Sequence, residues 1–505
     1  MEKYICIHGH FYQPPREDPW TEKIEEQKDA SPFHDWNEKI TYECYQPNTD
    51  CRILEDEKIV DVVNNFEKIS FNFGPTLLSW LENKHPNTYK AIIGADEKVA
   101  GRMNGHGPAI AQAYNHMIMP LADQRDKETQ VRWGIRDFEK RFDRKPEGMW
   151  LPETAVDTAT LEELARQNIA FTILAPEQAK AIRKINDDQW IAIDSGTLDK
   201  GRPYLCNLPS GRSISLFFYN GKVSHDVAFN GLLKDGKQFA NHLLEAFGEK
   251  GAGMQLSHIA TDGETYGHHH RHGDMALAFC IYYLEKYEKT RVSNYAHYLS
   301  MQEPEHEVQI HENTSWSCSH GIERWRSNCG CKVTHKKSVK QQWRRPLRNA
   351  FDFLKEKINK MYVDQIQNFT DADPWKLRND FMEIILDPAD ENTALFFRNN
   401  LKVQVDKDVQ NKLLDLLEMQ KYSMFMYTSC AWFFDDISDT GTIQIIAYAT
   451  RACQLAEKYG QESLFPEFLE RLKKAKGNFP EYPDAKVLFE KRIRPRMKDL
   501  KPYSL

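Results

Sequence analysis

An α/β fold followed by an all-helical region is what this 505-residue chain predicts. Three observations carry that expectation. Over the first two-thirds, short apolar runs alternate with helical patterns, which argues for parallel strands joined by crossover helices. Polar and aromatic residues gather just after the apolar runs, on the face where parallel barrels carry chemistry. From about Lys336 onward the strand signal stops and helical periodicity continues alone.

The elements follow in order. "YICIHGH" (Tyr4 to His10) and "ISFNFG" (Ile69 to Gly74) are strand candidates. "PTLLSWLEN" reads as a helix with Pro75 in its first turn, where the missing N–H costs nothing. "TLEELARQN" opens with Thr160 and Glu163 at the spacing of a capping box. "AFTILA" (Ala170 to Ala175), "SISLFFY" (Ser213 to Tyr219) and "MQLSHIATDGE" (Met254 to Glu264) are further strands, and the helix "DMALAFCIYYLEKYEK" follows the last. In the C-terminal part, Trp343, Leu347, Ala350, Phe351 and Leu354 fall on one helical stripe. The expected division is a domain over 1–335, with an aromatic and cysteine-rich loop at about 311–335, and a helical domain over 336–505.

Composition narrows the function. A hydrophobic share of 41% in so long a chain supports a large core. A net charge of −7 and a pI near 6.2 argue against nucleic-acid binding, which needs a basic face. No apolar run is long enough to span a membrane, and "MEKYICIHGH" reads as a buried strand rather than a secretory signal. A cytoplasmic location is expected, with neither nucleic acid nor membrane as partner. Ten cysteines in this length do not suggest a secreted disulfide framework.

Two carboxylates stand out. Glu153 in "MWLPETAVD" and Asp262 in "HIATDGETYGHHH" each follow a strand and sit among aromatic and histidine residues. Either alone reads as a turn or capping acid, and Asp262–Gly263 is a common turn dipeptide. Together they suit glycosidic cleavage, in which one acid attacks or activates water and the other protonates the leaving oxygen. His8 and His10, alternate residues at a strand end, point the same way. They can bond backbone carbonyls, donate to sugar hydroxyls or ligate a metal. In "SWSCSHGIERWRSNCGC", Cys318, His320, Cys329 and Cys331 have the right chemistry for zinc. Their Cys-x-His and Cys-x-Cys spacings differ from the usual knuckle. The expectation is a packed loop in which Trp316 and Trp325 stack on sugar, with no metal and no cofactor; zinc at these four residues stays open.

"HGHFYQPPR", "GPAIAQAYNHMIMPL", "GMWLPETAVD" and "IATDGETYGHHHRHGDMAL", in this order, resemble the motif series of family-57 glycoside hydrolases. The resemblance implies an incomplete (β/α)7 barrel and a retaining mechanism on α-glucans, in the class of α-amylases, 4-α-glucanotransferases and branching enzymes. It implies Glu153 as nucleophile and Asp262 as general acid/base. It implies His8, His10, Gln13 and Trp150 around the attacked sugar, with Gln112 and His116 beside it. Trp316 and Trp432 are aromatic candidates, the latter in "YTSCAWFFDDIS", through which the helical domain is expected to reach the cleft. The partner is then an oligo- or polysaccharide. The expanded loop and the "HHHRH" run at His268 to His272 depart from that pattern and bear on the substrate. A second reading is a metal-dependent carbohydrate hydrolase or deacetylase on a related barrel, with His8, His10, Asp262 and part of "HHHRH" as ligands. A third is a catalytically silent glycan-binding protein.

Overall fold

The computed structural model describes residues 2–247, 253–401, 406–460 and 462–499. The chain forms two compact units. The first comprises Met1–Gln13, Glu26–Tyr114 and Phe138–Trp316, and the second Pro14–Glu25, Asn115–Asp137 and Ser317–Leu505.

Among the described residues, the parallel strands that build the first unit's sheet are β1 (Glu2–Phe11), β2 (Ser70–Phe73), β3 (Ala111–Gln112), β4 (Met149–Trp150), β5 (Phe171–Leu174), β6 (Ser213–Phe218) and β7 (Met254–Asp262), with the short Arg291–Val292 also parallel to β1. They neighbour one another in the order β7–β1–β2–β3–β4–β5–β6, through ladders and through the single bridges Phe71–Ala109 and Gly148–Phe171. On its far side β6 pairs antiparallel with Tyr204–Asn207 rather than with β7, which leaves an incomplete (β/α)7 barrel. β1 is buried from Tyr4 to Phe11, as expected of a strand covered on both faces.

Register positions the later chemistry. His10 lies beside Asp262 across one edge of β1 and beside Asn72 across the other, and His8 lies beside Ser70. Between β2 and β3, the buried Asp96 accepts from the Ala109 amide at 2.9 Å and from Arg144 Nη2 at 2.7 Å, which fixes a short strand that has few ladder bonds of its own. The capping-box expectation is corrected here. The helix Thr158–Arg166 is capped by Asp157, whose carboxylate accepts from Thr160 N at 2.8 Å; Thr160 is inside the helix and Glu163 pairs with Arg166.

The second unit is helical, built on Arg344–Gln367, Lys407–Phe425 and Thr440–Tyr459 with shorter helices around them. Trp343, Leu347, Ala350, Phe351 and Leu354 are all fully buried, so the stripe read from the sequence is the packing face. The unit does not start at one boundary, since Asn115–Asp137 belongs to it. The reason is a buried ion cluster: Asp126 accepts from Arg378 Nη1 at 2.9 Å and pairs with Lys355. Trp133, fully buried, donates from Nε1 to the Asn379 carbonyl at 3.0 Å. Among the described residues no helix is long and apolar enough to cross a membrane.

Candidate active site

β4 ends at Trp150, and the chain then turns sharply through Pro152–Thr154. Glu153 sits in the left-handed region at φ 58°, ψ 23°, and Thr154 follows at φ 49°. Left-handed backbone outside glycine costs about 1–3 kcal/mol per residue and persists only where the surroundings over-determine it. Here Thr154 Oγ1 donates to Gln178 Oε1 at 2.9 Å, Gln178 Nε2 returns to the Thr154 carbonyl at 2.8 Å, and Trp316 N donates to the Glu153 carbonyl at 3.1 Å. Trp316 Nε1 also donates to Glu153 Oε2 at 3.0 Å, so one tryptophan holds both the backbone and the carboxylate. The helix that follows, Thr158–Arg166, takes its cap from Asp157.

Asp262 ends β7, and its side chain caps nothing. The short 3-10 helix Gly263–Thr265 that follows takes no side-chain bond from Asp262, and the next α-helix, Gly273–Lys286, starts eleven residues further on with His272 before it, so the capping reading of Asp262 fails. Gly263 is needed for close approach rather than for an unusual φ: a Cβ there would stand 2.3 Å from the Phe11 ring. Water reaches the Asp262 side chain, yet protein surrounds it closely. Poor solvation raises its pKa well above the ordinary carboxylate range, and the charges of Glu264 and Glu153 add to the rise.

Glu264 is a residue that sequence reasoning passed over. It is 5% exposed and accepts from Tyr45 Oη at 2.5 Å and from Tyr12 N at 2.9 Å, with Gln13 also bonded to it. Burial pushes it up to about 7 against those bonds. Only the offset of two from Asp262 hinted at it in the sequence.

Beneath these acids lies a polar and aromatic layer. His8 bonds Ser70 Oγ through Nδ1 at 3.0 Å and Asn72 Oδ1 through Nε2 at 3.1 Å, so both its ring nitrogens are committed. Asn72 also meets His10 Nδ1 and donates to Gln112 Oε1 at 2.8 Å. Burial pulls both histidines down to about 3, leaving them neutral across the physiological range. Both stack on Trp150, at 5.0 and 4.9 Å between ring centroids, and Trp316 meets Trp150 edge-on at 5.1 Å. Trp150 Nε1 and Gln112 Nε2 are buried donors with no hydrogen-bond partner among the described residues. Tyr219, at the end of β6, stands 6.4 Å from the Trp316 ring and feels the Asp262 charge; nothing local in the sequence marked it.

The structure therefore gathers Glu153, Asp262, His8, His10, Gln13, Trp150, Gln112 and Trp316 in one unit. His116 and Trp432 belong to the other. His116 Nδ1 bonds Ser429 Oγ at 2.5 Å. Trp432 stacks on Trp343 at 6.0 Å and meets Phe351 edge-on, which makes it core packing of the helical unit. Trp325 is likewise internal, 1% exposed and donating to the Ser429 carbonyl at 3.2 Å, and so is not a sugar platform. In the histidine run, His268 bonds Glu43 at 2.5 Å and His270 the Ala228 carbonyl at 2.8 Å. Among the described residues, no cluster of three or more possible metal ligands includes His8, His10, Asp262 or the histidine run.

Known proteins share this fold. The structure of an exo-type maltose-forming amylase from Pyrococcus sp. ST04 is similar at a TM-score of 0.71 and 16% identity, covering 96% of this chain and 91% of that one. A branching enzyme from Pyrococcus horikoshii is similar at 0.58 and 15%, covering 100% and 98%. A 4-alpha-glucanotransferase from Thermococcus litoralis is similar at 0.53 and 14%, covering 90% and 60%. Alpha-amylase 1 of Dictyoglomus thermophilum is 24% identical over 106 residues, 21% of this chain, and the matched stretch spans 15% of that protein's length. Residues 340–503 match a domain of unknown function, DUF3536. The model of glycosyl hydrolase family 57 matches residues 6–315, which is most of the chain and takes in both carboxylates, and the chain belongs to that family.

Proposed function

We propose that the chain is a retaining glycoside hydrolase or glucanotransferase acting on α-glucans, with Glu153 as nucleophile and Asp262 as general acid/base. The observation that carries this reading is the pair itself: a carboxylate held on a strained turn by Trp316, and a second carboxyl whose pKa poor solvation and two acidic neighbours raise. Asp262 gives its proton to the glycosidic oxygen as Glu153 attacks the anomeric carbon, and the leaving sugar departs as an alcohol. Glycosylation neutralises Glu153, which removes one of the charges holding the proton on Asp262. Asp262 then takes a proton from the incoming hydroxyl, of water or of a second sugar, and Glu153 is released. Trp150 and Gln112 offer the two unpartnered buried donors for sugar hydroxyls, and the half-buried face of Trp316 offers a stacking surface. The similar solved proteins are named as an amylase, a branching enzyme and a glucanotransferase, which favours an α-glucan over other glycans.

The test is product analysis on starch, glycogen, maltodextrins and pullulan, with the first-formed anomer followed by NMR. An α-anomer product or a transferred glucan chain is expected. No product from any of the four, or a first-formed β-anomer, would sink the reading.

Glu264 supplies a finer check. Glu264→Gln keeps the acceptor for Tyr12 N but removes a charge that raises the Asp262 pKa. Asp262 should then lose its proton at lower pH, and the basic limb of the kcat/KM profile should move down. A limb that stays in place would mean that Glu264 does not act on the acid.

A further inference from the structure

Cys318, His320, Cys329 and Cys331 all belong to the helical unit. Their ligand atoms fall within 4.8 Å of one another. Cys318 Sγ stands 3.9 Å from Cys329 Sγ and 3.8 Å from Cys331 Sγ, and Cys331 Sγ stands 3.5 Å from His320 Nδ1. A tetrahedral zinc with its usual Zn–S and Zn–N bonds separates its ligands by about 3.8 Å for S···S and about 3.6 Å for S···N. A disulfide would need sulfurs at about 2.05 Å, and all three cysteines are free. We infer that these four side chains bind one zinc ion in a closed, structural site.

Three further observations fit a metal and do not fit a merely packed loop. Backbone turns bring the donors round: Gly321 N bonds the Cys318 carbonyl at 3.0 Å with Gly321 at φ 79°, and Gly330, at φ 87°, folds the Cys-x-Cys pair back. The backbone amides of His320 and Arg324 point at the Cys318 sulfur, the kind of outer-shell bond that steadies a metal-bound thiolate. The third is charge. Arg344 is fully buried, with Nη1 at 3.8 Å from Cys329 Sγ and 2.9 Å from the Cys331 carbonyl. Arg324, 6% exposed, lies 3.9 Å over the Phe433 ring. Arg324 Nε and Nη1 and Arg344 Nε have no hydrogen-bond partner among the described residues. Buried charges are costly unless compensated. Zinc with three thiolates and a neutral imidazole carries one net negative charge, which these guanidiniums would offset. The site would also anchor what surrounds it, because Arg344 reaches the Phe434 carbonyl at 3.3 Å and Trp325 the Ser429 carbonyl.

The inference is independent of the glucan reading, and its test does not use activity. The full-length chain, purified without chelator, is analysed for metals and for zinc released on titration with a mercurial. One zinc per chain is expected, released as three thiolates react. C329S and C331S should each lose most of the zinc, and removal of the metal with a strong chelator should lower Tm, with recovery on adding zinc back. Should the serine variants fail to fold, cobalt exchanged into the wild type decides: tetrahedral visible bands with thiolate charge-transfer absorption support the site, and an octahedral spectrum without them overturns it. Absence of zinc after growth in zinc-supplemented medium, full zinc in C329S, stoichiometric iron instead, or a disulfide among the three cysteines would each overturn it.

Discussion

Replacement of Glu153 by alanine should lower turnover of the wild type's best glucan by about 10⁴-fold or more, which corresponds to ~5.4 kcal/mol of transition-state stabilisation. Folding should be retained, because the helix that follows, Thr158–Arg166, takes its cap from Asp157. A capping acid would behave in the opposite way, since its loss costs about 0.5–2 kcal/mol of stability and spares chemistry. Azide should partly restore activity to Glu153→Ala and yield a glycosyl azide of inverted configuration, because the small anion attacks from the face the carboxylate has vacated. Glu153→Gly separates the two contributions. It should be as inactive as the alanine variant yet melt higher than it, since glycine relieves the left-handed backbone at φ 58°. Near-normal turnover by Glu153→Ala on a substrate the wild type cleaves would return Glu153 to a structural role.

Asp262→Ala should lose activity in proportion to the leaving group's need for a proton. Natural glucans should be cleaved about 10²–10⁴-fold more slowly, the usual range for a missing general acid, while aryl glycosides with acidic phenols should retain their first step. Azide should here give a product of retained configuration. The pH profile follows from the same carboxyl. Its folded-state pKa is raised, so the group is protonated when folded and ionised when unfolded over the interval from about 3.9 up to the folded value. Folding takes up a proton in that interval, so this site's contribution to stability falls as pH rises through it. Asp262→Asn, which cannot ionise, should therefore melt above the wild type at neutral and mildly alkaline pH, with the advantage vanishing at strongly acid pH. Equal melting of the two proteins at all pH values would mean that Asp262 is not held protonated, and the acid would have to be sought elsewhere.

Local patterns were legible where the physics is local. The strands around Tyr4–His10, Ser213–Phe218 and Met254–Asp262 announce themselves as apolar runs bounded by polar turns, and the helical stripe through Trp343 and Leu354 follows the 3.6-residue period. The two-residue strands at Ala111 and Met149 do not, because their pairing is set by neighbours rather than by their own composition. Glu153 and Asp262 were readable as a pair only through their motifs. Asn72, Tyr219 and Glu264 join them through strand register and burial, which no short window contains. The four-ligand cluster shows the same limit from another side. Spacing along the chain counted against zinc, while two glycines in the left-handed region close the gap in space.

The segment Asn115–Asp137 has a consequence for the chain as it is made. Asp126 leaves the ribosome 252 residues before Arg378, its buried partner. At roughly 5–20 residues per second, the interval is about 10–50 s. During it, the Asp126 carboxylate and the Trp133 indole have no place to dock, so the nascent barrel carries an unfinished, partly apolar strap. The two units thus cannot be completed one after the other in order of synthesis. A chain cut at residue 335 should prove insoluble rather than yield a free-standing barrel.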